Sequence, residues 1–272
     1  MGTSSSSKGP HGGVSFDPPW LTDATSTIGI EPSLENIQIA PELPRIADAN
    51  RFTTARRNFR KYISGQAGRE SVRKALRAYV RHGLGGATRA SNRMRFVSSV
   101  GSRAFALLKG LEGANKLEFR AALKALLSSD HAVGEIVSTI VDFVVPDRGS
   151  VDEESAHDAM AEALSELLDT KPDIDLLNME EADVWWLMEL YLAKEIVRRI
   201  HFDIGQSIES DKYDAESKLQ QLEELEGFVK SAVTIKLQQA REGKPPLTQQ
   251  VVCDIMAETI KMTFSFFEGD KL

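Results

Sequence analysis

The sequence predicts an all-α protein: a multi-helix bundle preceded by a disordered tail rich in Ser, Gly and Pro. Three observations predict this. From Arg51 onward, apolar residues recur at three- and four-residue intervals. No stretch holds the apolar–polar alternation of a half-buried strand. Composition changes near residue 48: six of the ten prolines and the Ser4–Ser7 run lie before it. Residues 1–48 therefore read as a flexible tail and 49–272 as a helical domain. Gly9, Gly12 and Gly13 leave the tail many conformations, and its prolines remove backbone donors. Phe16, Trp20 and Leu21 are its apolar anchors.

The helices follow in order. Phe52, Ala55, Phe59 and Ile63 mark the first, and Val72, Leu76 and Val80 mark a second after Gly65 and Gly68. HGLGG at 82–86 ends the second. Arg93 to Leu111 and Lys116 to Leu127 give two more. GEIVSTIVDFVV, closed by Pro146, reads as a buried helix, its β-branched residues leaving a strand open. Ser150 with Glu153 is a capping-box pattern before Ala156, Met160, Leu164 and Leu167 or Leu168. Asn178 with Glu181 repeats the pattern before a long helix from Met179 to Ile204. Leu219, Leu222, Leu225 or Glu226, Val229, Val233 and Leu237 form the next apolar face, and Thr248 caps the last helix.

Charge is unevenly shared. The net charge is -7, yet residues 51–103 carry 14 Lys/Arg against one acid, Glu70. Residues 150–272 carry 12 Lys/Arg against 27 Asp/Glu. Arg69, Arg73, Arg77 and Arg81 repeat at four-residue spacing, where like charges repel by a few tenths of a kcal/mol each. The acidic half of the chain, an acidic partner or nucleic-acid phosphate would offset them. Nearby aromatics fall on the apolar faces, which disfavours base stacking.

Other chemistry finds little footing. Cys253 is the sole cysteine, so an internal disulfide and a Cys-based zinc site are excluded, and a reducing cytoplasm fits. It lies in an apolar pattern and reads as a core residue. No apolar run reaches the roughly 20 residues of a membrane span, and no secretory signal pattern opens the sequence. His11, His82, His131, His157 and His201 form no HExxH pair, so no metal site is expected. HGLGGA lacks the GK[ST] ending of a phosphate loop and reads as a helix cap. Trp185, Trp186, Leu187, Leu190 and Tyr191 fit core packing better than a ligand cage, and Leu219–Leu237 fits a core face or a short coiled-coil seam. With no nucleophile-elbow or kinase pattern, the chain reads as a non-enzyme with no cofactor of its own.

The opening MGTSSSSKGP is the remaining signal. Removal of Met1 would leave the α-amine of Gly2, with an ordinary pKa of about 7.7–8.0. Roughly a tenth to a fifth is then neutral at pH 7, against almost none of a lysine amine. MGTSSS also fits the N-myristoylation pattern through Gly2 and Ser6, although Lys8 is the sole nearby cation. Without that acylation no membrane association is expected.

MGTSSSSKGP followed by Pro18-Pro19-Trp20 resembles the N-terminus of the QatB family, a component of bacterial Qat anti-phage systems. The resemblance continues through RFTTARRNFRKYISG, VRKALRAYVRHGLGGATRAS, HDAMAEALSELL, DIDLLNM and HFDIG. Nothing is carried over for LTQQVVCDIMAETIKMTFSFF. It implies a non-enzymatic defence component whose Gly2 accepts a 7-deazaguanine base from a QueC-like enzyme that uses ATP. Thr3, Ser4, Ser5, Ser6, Ser7, Lys8, Gly9, Pro10 and Trp20 would be read by that enzyme. An ATPase and a TatD-like nuclease complete the partner set the resemblance implies. Nucleic-acid binding through Arg69, Arg73, Arg77 and Arg81 is the alternative expectation.

Overall fold

The computed structural model describes residues 50–64, 68–111, 116–128, 132–145, 149–205, 215–244 and 246–269. The expectations for Gly2 to Pro10 and Trp20 lie outside the described residues. Among those described there are ten α-helices and no strand. In chain order they are α1 (Thr53–Ile63), α2 (Arg69–Ala78), α3 (Ala87–Arg93), α4 (Arg95–Lys109) and α5 (Lys116–Leu127). Then follow α6 (Val133–Val144), α7 (Val151–Thr170), α8 (Glu181–Ile204), α9 (Ala215–Arg241) and α10 (Gln249–Glu268). A π-helical segment, Tyr79–Leu84, extends α2.

The apolar faces read from the sequence are the buried ones. Ala55, Phe59 and Ile63 of α1 are buried, as are Val72, Leu76 and Val80 after it. GEIVSTIVDFVV is helical, with Val137, Ile140, Val141 and Val144 inside. Leu167 rather than Leu168 takes the core position in α7, and Leu225 takes it in α9. The α9 face enters the core only from Leu225, because Leu219 is exposed and Leu222 half-buried. Trp185 packs against Phe105, with ring centroids 4.5 Å apart, and is core together with Leu187, Leu190 and Tyr191, while Trp186 is half-buried.

Local capping was legible at two of three sites. Ser150 Oγ accepts from the Glu153 amide, and the Glu153 carboxylate accepts from the Ser150 amide, closing the expected box. Thr248 Oγ1 accepts from the Val251 amide at 3.2 Å. The Asn178–Glu181 box does not form. Asn178 donates instead to Asp175 Oδ2 at 2.8 Å, and α8 begins two residues later than expected, behind Glu180. Helix α3 was not foreseen. It has seven residues and only Ala87 and Ala90 buried, too short and too weakly apolar for periodicity to register.

Helices α4, α8 and α10 form the centre. α4 packs on both of the others, α7 and α9 flank α8, and α9 and α3 flank α10. The three meet at Gly101, where a Cβ would run into the Met256 side chain and come within 3.3 Å of Tyr191. Tyr191 Oη donates to the Val97 carbonyl across this junction. Thr259 and Thr263 lie fully buried and donate to the carbonyls of Ile255 and Thr259, so α10 carries hydroxyls into the core without orphaning them. One apolar cluster runs from Phe52 to Phe267.

Candidate functional site

The described chain starts beside an unusual polar cluster, at the root of the N-terminal segment. Arg51 and Phe52 are both buried just ahead of α1. The Phe52 ring stacks on Tyr79, with centroids 5.9 Å apart, and covers Gly83 so closely that a Cβ there would lie 2.5 Å from it. Arg51 and Arg56 lie over the same ring at 5.0 and 5.6 Å. The widened π turn belongs to this site: Tyr79 opens it and Gly83 sits inside it.

Beneath Phe52 lies Asp203, 2% exposed, from the last turn of α8. Tyr79 Oη donates to its Oδ2 at 2.8 Å, and Arg199 Nε approaches the same oxygen at 3.6 Å. Arg56 donates twice to the Asp203 carbonyl, at 2.8 and 3.3 Å. Arg199 also donates to Asp152 Oδ1 at 2.9 Å. Burial pushes the Tyr79 hydroxyl well above its ordinary range, and Asp203 adds to that, so it stays a donor. Burial likewise raises the Asp203 carboxyl, with Arg199, Tyr79, Arg93 and Arg51 pulling the other way. The basic half is thus tied to α8 of the acidic half through Asp203, by Tyr79 at its carboxylate and by Arg56 of α1 at its carbonyl. Sequence reading missed this cluster because its members are far apart in the chain, Arg56 and Asp203 by 147 positions.

The arginine stripe is partly placed. Arg73, Arg77 and Arg81 are exposed, while the Arg69 side chain falls outside the described set. Arg77 Nε donates to the Glu268 carbonyl at 3.0 Å, at the C-terminal end of α10 where a cation is favoured. The glycine turn behaves as a cap, with Gly85 (φ 81°) and Gly86 (φ 105°) in conformations open to glycine. Glu268 Oε2 accepts from the Ala87 amide at 3.3 Å.

Among the described residues no group of three or more His, Cys, Asp or Glu is placed to hold a metal ion. Cys253 is half-buried, and burial raises its thiol, so the reactive thiolate is scarce.

A second buried carboxylate stands apart. Glu195 of α8 is 4% exposed. Ser155 Oγ donates to Oε2 at 3.3 Å, and Oε1 has no hydrogen-bond partner. Burial pushes this carboxyl up from 4.5 to about 7, opposed by the Ser155 hydrogen bond and by Arg198 and Arg199. Between those values the folded chain keeps a proton that the unfolded chain has released. Stability therefore falls as pH rises through that window, by on the order of 3 kcal/mol in all. Glu195→Gln keeps the shape without the charge. It should melt roughly 6–12 °C above the parent at pH 8, and the gap should shrink several-fold at pH 5. Thermal scans at both pH values test this; a gap independent of pH would contradict it.

A family model described as "Qat anti-phage system associated protein QatB" matches residues 85–267. The match begins at the Gly85 turn and runs nearly to the end of α10, so it includes the C-terminal segment for which no resemblance was drawn. No curated protein and no solved structure matches the chain.

Proposed function

The chain belongs to the QatB family of Qat anti-phage system associated proteins, and on that premise we propose that it is a non-catalytic defence component whose Gly2 is a conjugation acceptor. A QueC-like partner would join a 7-deazaguanine 7-carboxylate to the Gly2 α-amine. The carboxylate attacks the α-phosphate of ATP and pyrophosphate leaves, giving an acyl adenylate. The neutral amine attacks, AMP leaves and the nitrogen loses a proton, giving an amide.

The observation that carries this reading is the stretch MGTSSSSKGP. An unbranched glycine amine meets least steric resistance, and Ser4–Ser7 offer a narrow, uncharged lead into a cleft. Pro10 and Trp20 would hold on outside it, limiting the ordering cost of binding. The fold supports the same division of labour. Arg51 and Phe52 fix the segment's base to the body, while Gly2 lies 48 positions before Asn50. Fully extended, that length spans at most about 160 Å, ample to reach another protein's active site. The system's ATPase and TatD-like nuclease are further partners in this reading, set in the cytoplasm. No helix among the described residues is long and apolar enough to cross a membrane.

Intact mass is the test. Coexpression with the QueC-like enzyme should add one carboxy-deazaguanine less one water, on the peptide beginning at Gly2. Gly2→Leu, whose bulk retains Met1, should carry no adduct. An unchanged mass in the parent overturns the proposal, and a myristoyl increment assigns Gly2 to membrane anchoring instead.

A further inference from the structure

We infer that the outward faces of α1 and α2 form a docking surface for the phosphate backbone of a nucleic acid, an activity independent of Gly2 conjugation. Helix α1 buries Ala55, Phe59, Tyr62 and Ile63 and turns Arg57, Arg60 and Lys61 outward. Helix α2 packs beside it, buries Val72, Ala75 and Leu76, and turns Arg73, Lys74 and Arg77 outward, with Arg81 following in the π segment. Two basic rows thus lie on the exposed faces of two helices packed against each other.

These charges are not neutralised from within. Glu70 is the one carboxylate on the two helices, and it approaches Lys74 at 3.7 Å. Among the described residues Arg57, Arg60, Lys61, Arg73 and Arg81 form no ion pair. Several carboxylates of the acidic half are paired with its own cations. Glu166 holds Lys194 and Lys230, Asp158 and Glu162 hold Arg198, and Asp152 holds Arg199. Glu224 lines a groove with Arg73 without forming an ion pair to it, and accepts from Tyr62 Oη.

The surface suits phosphate better than an acidic protein. A stable protein interface needs apolar or aromatic anchors at its centre. None of the large exposed apolar residues of the described chain is carried by these two helices: Leu117, Leu127, Val133, Val151, Phe202, Leu219 and Ile235 all belong to other helices. Five of the surface's seven outward cations are arginines, whose planar fork pairs two phosphate oxygens at once. Its aromatics Phe59, Tyr62 and Tyr79 are buried, so bases find nothing to stack on. Recognition is therefore of the backbone and indifferent to sequence.

Fluorescence anisotropy of the full chain with a labelled 20-base-pair DNA duplex tests this. Five phosphate contacts predict a log–log salt slope near about -4.5, or roughly 500-fold weaker binding at 200 than at 50 mM NaCl. Arg57→Gln/Arg73→Gln/Arg81→Gln should weaken binding at least tenfold at 50 mM and reduce the slope by about 2.7. Its melting temperature should stay unchanged, since the three side chains are exposed. No binding by the parent at 50 mM, or an unaltered slope in the variant, overturns the inference. Equal affinity for a poly-glutamate chain of the same charge overturns it in favour of an acidic protein partner.

Discussion

Replacement of Asp203 by alanine is expected to cost about 3–5 kcal/mol of folding stability and to lower the melting temperature by roughly 8–16 °C. The reason is the company Asp203 keeps. It accepts from Tyr79 Oη, faces Arg199 Nε, and lies near Arg51 and Arg93. Its removal leaves a buried hydroxyl without its acceptor and several guanidinium groups without their shared counter-charge. An ion pair broken on one side costs far more than its net worth when intact, because the surviving charge stays desolvated. Asp203→Asn, which keeps an acceptor but loses the charge, should fall between alanine and the parent. Adding Tyr79→Phe to Asp203→Ala should return about 1–3 kcal/mol, the share owed to the orphaned hydroxyl. Urea denaturation of the four proteins would decide. A loss below 1 kcal/mol for Asp203→Ala would mean that Asp203 does not hold the cluster together.

Phe52→Ala is expected to cost about 3–5 kcal/mol by leaving a ring-sized cavity against Tyr79 and Gly83. Gly83→Ala alone should cost about 1–3 kcal/mol, because its methyl falls 2.5 Å from a ring with nowhere to move. Together the two should cost clearly less than their sum, since the new methyl enters the space the ring has left. Coupling of about 0.5–3 kcal/mol in this double-mutant cycle would establish the contact, and strict additivity would refute it. Both sites lie at the root of the N-terminal segment. The conjugation proposed for Gly2 should survive Phe52→Ala at temperatures where the body stays folded, because Gly2 and Phe52 are 50 positions apart.

What the sequence disclosed, and what it withheld, divides by distance along the chain. Burial at Phe59, Leu76, Met160 and Val233 was legible because a helix repeats its buried face every three or four residues. The Ser150 and Thr248 caps were legible because each needs a partner only three residues on. Asn178 was misread because Asp175, three residues behind, competes for its side chain and wins. The Asp203 cluster was invisible because Tyr79 lies 124 positions away, and in one dimension Arg51 and Arg56 are simply two of many cations. The solvent-facing arginines looked like a stripe in the sequence. Only the folded chain separates Arg77, tied to the end of α10, from Arg73 and Arg81. For Gly2 and its neighbours, the motif itself and the family membership of the body carry the whole reading.

The last helix, α10, completes packing begun almost 200 residues earlier: it closes on α2, α3 and α4, and its Glu268 reaches the Gly86–Ala87 turn. On the ribosome, then, the body has no finished interior until α10 has emerged. At about 5–20 residues per second the leading amine is outside the exit tunnel for some ten seconds or more before that moment. Were Gly2 the acceptor proposed above, an enzyme recruited to nascent chains would meet it while the rest of the molecule is still being made.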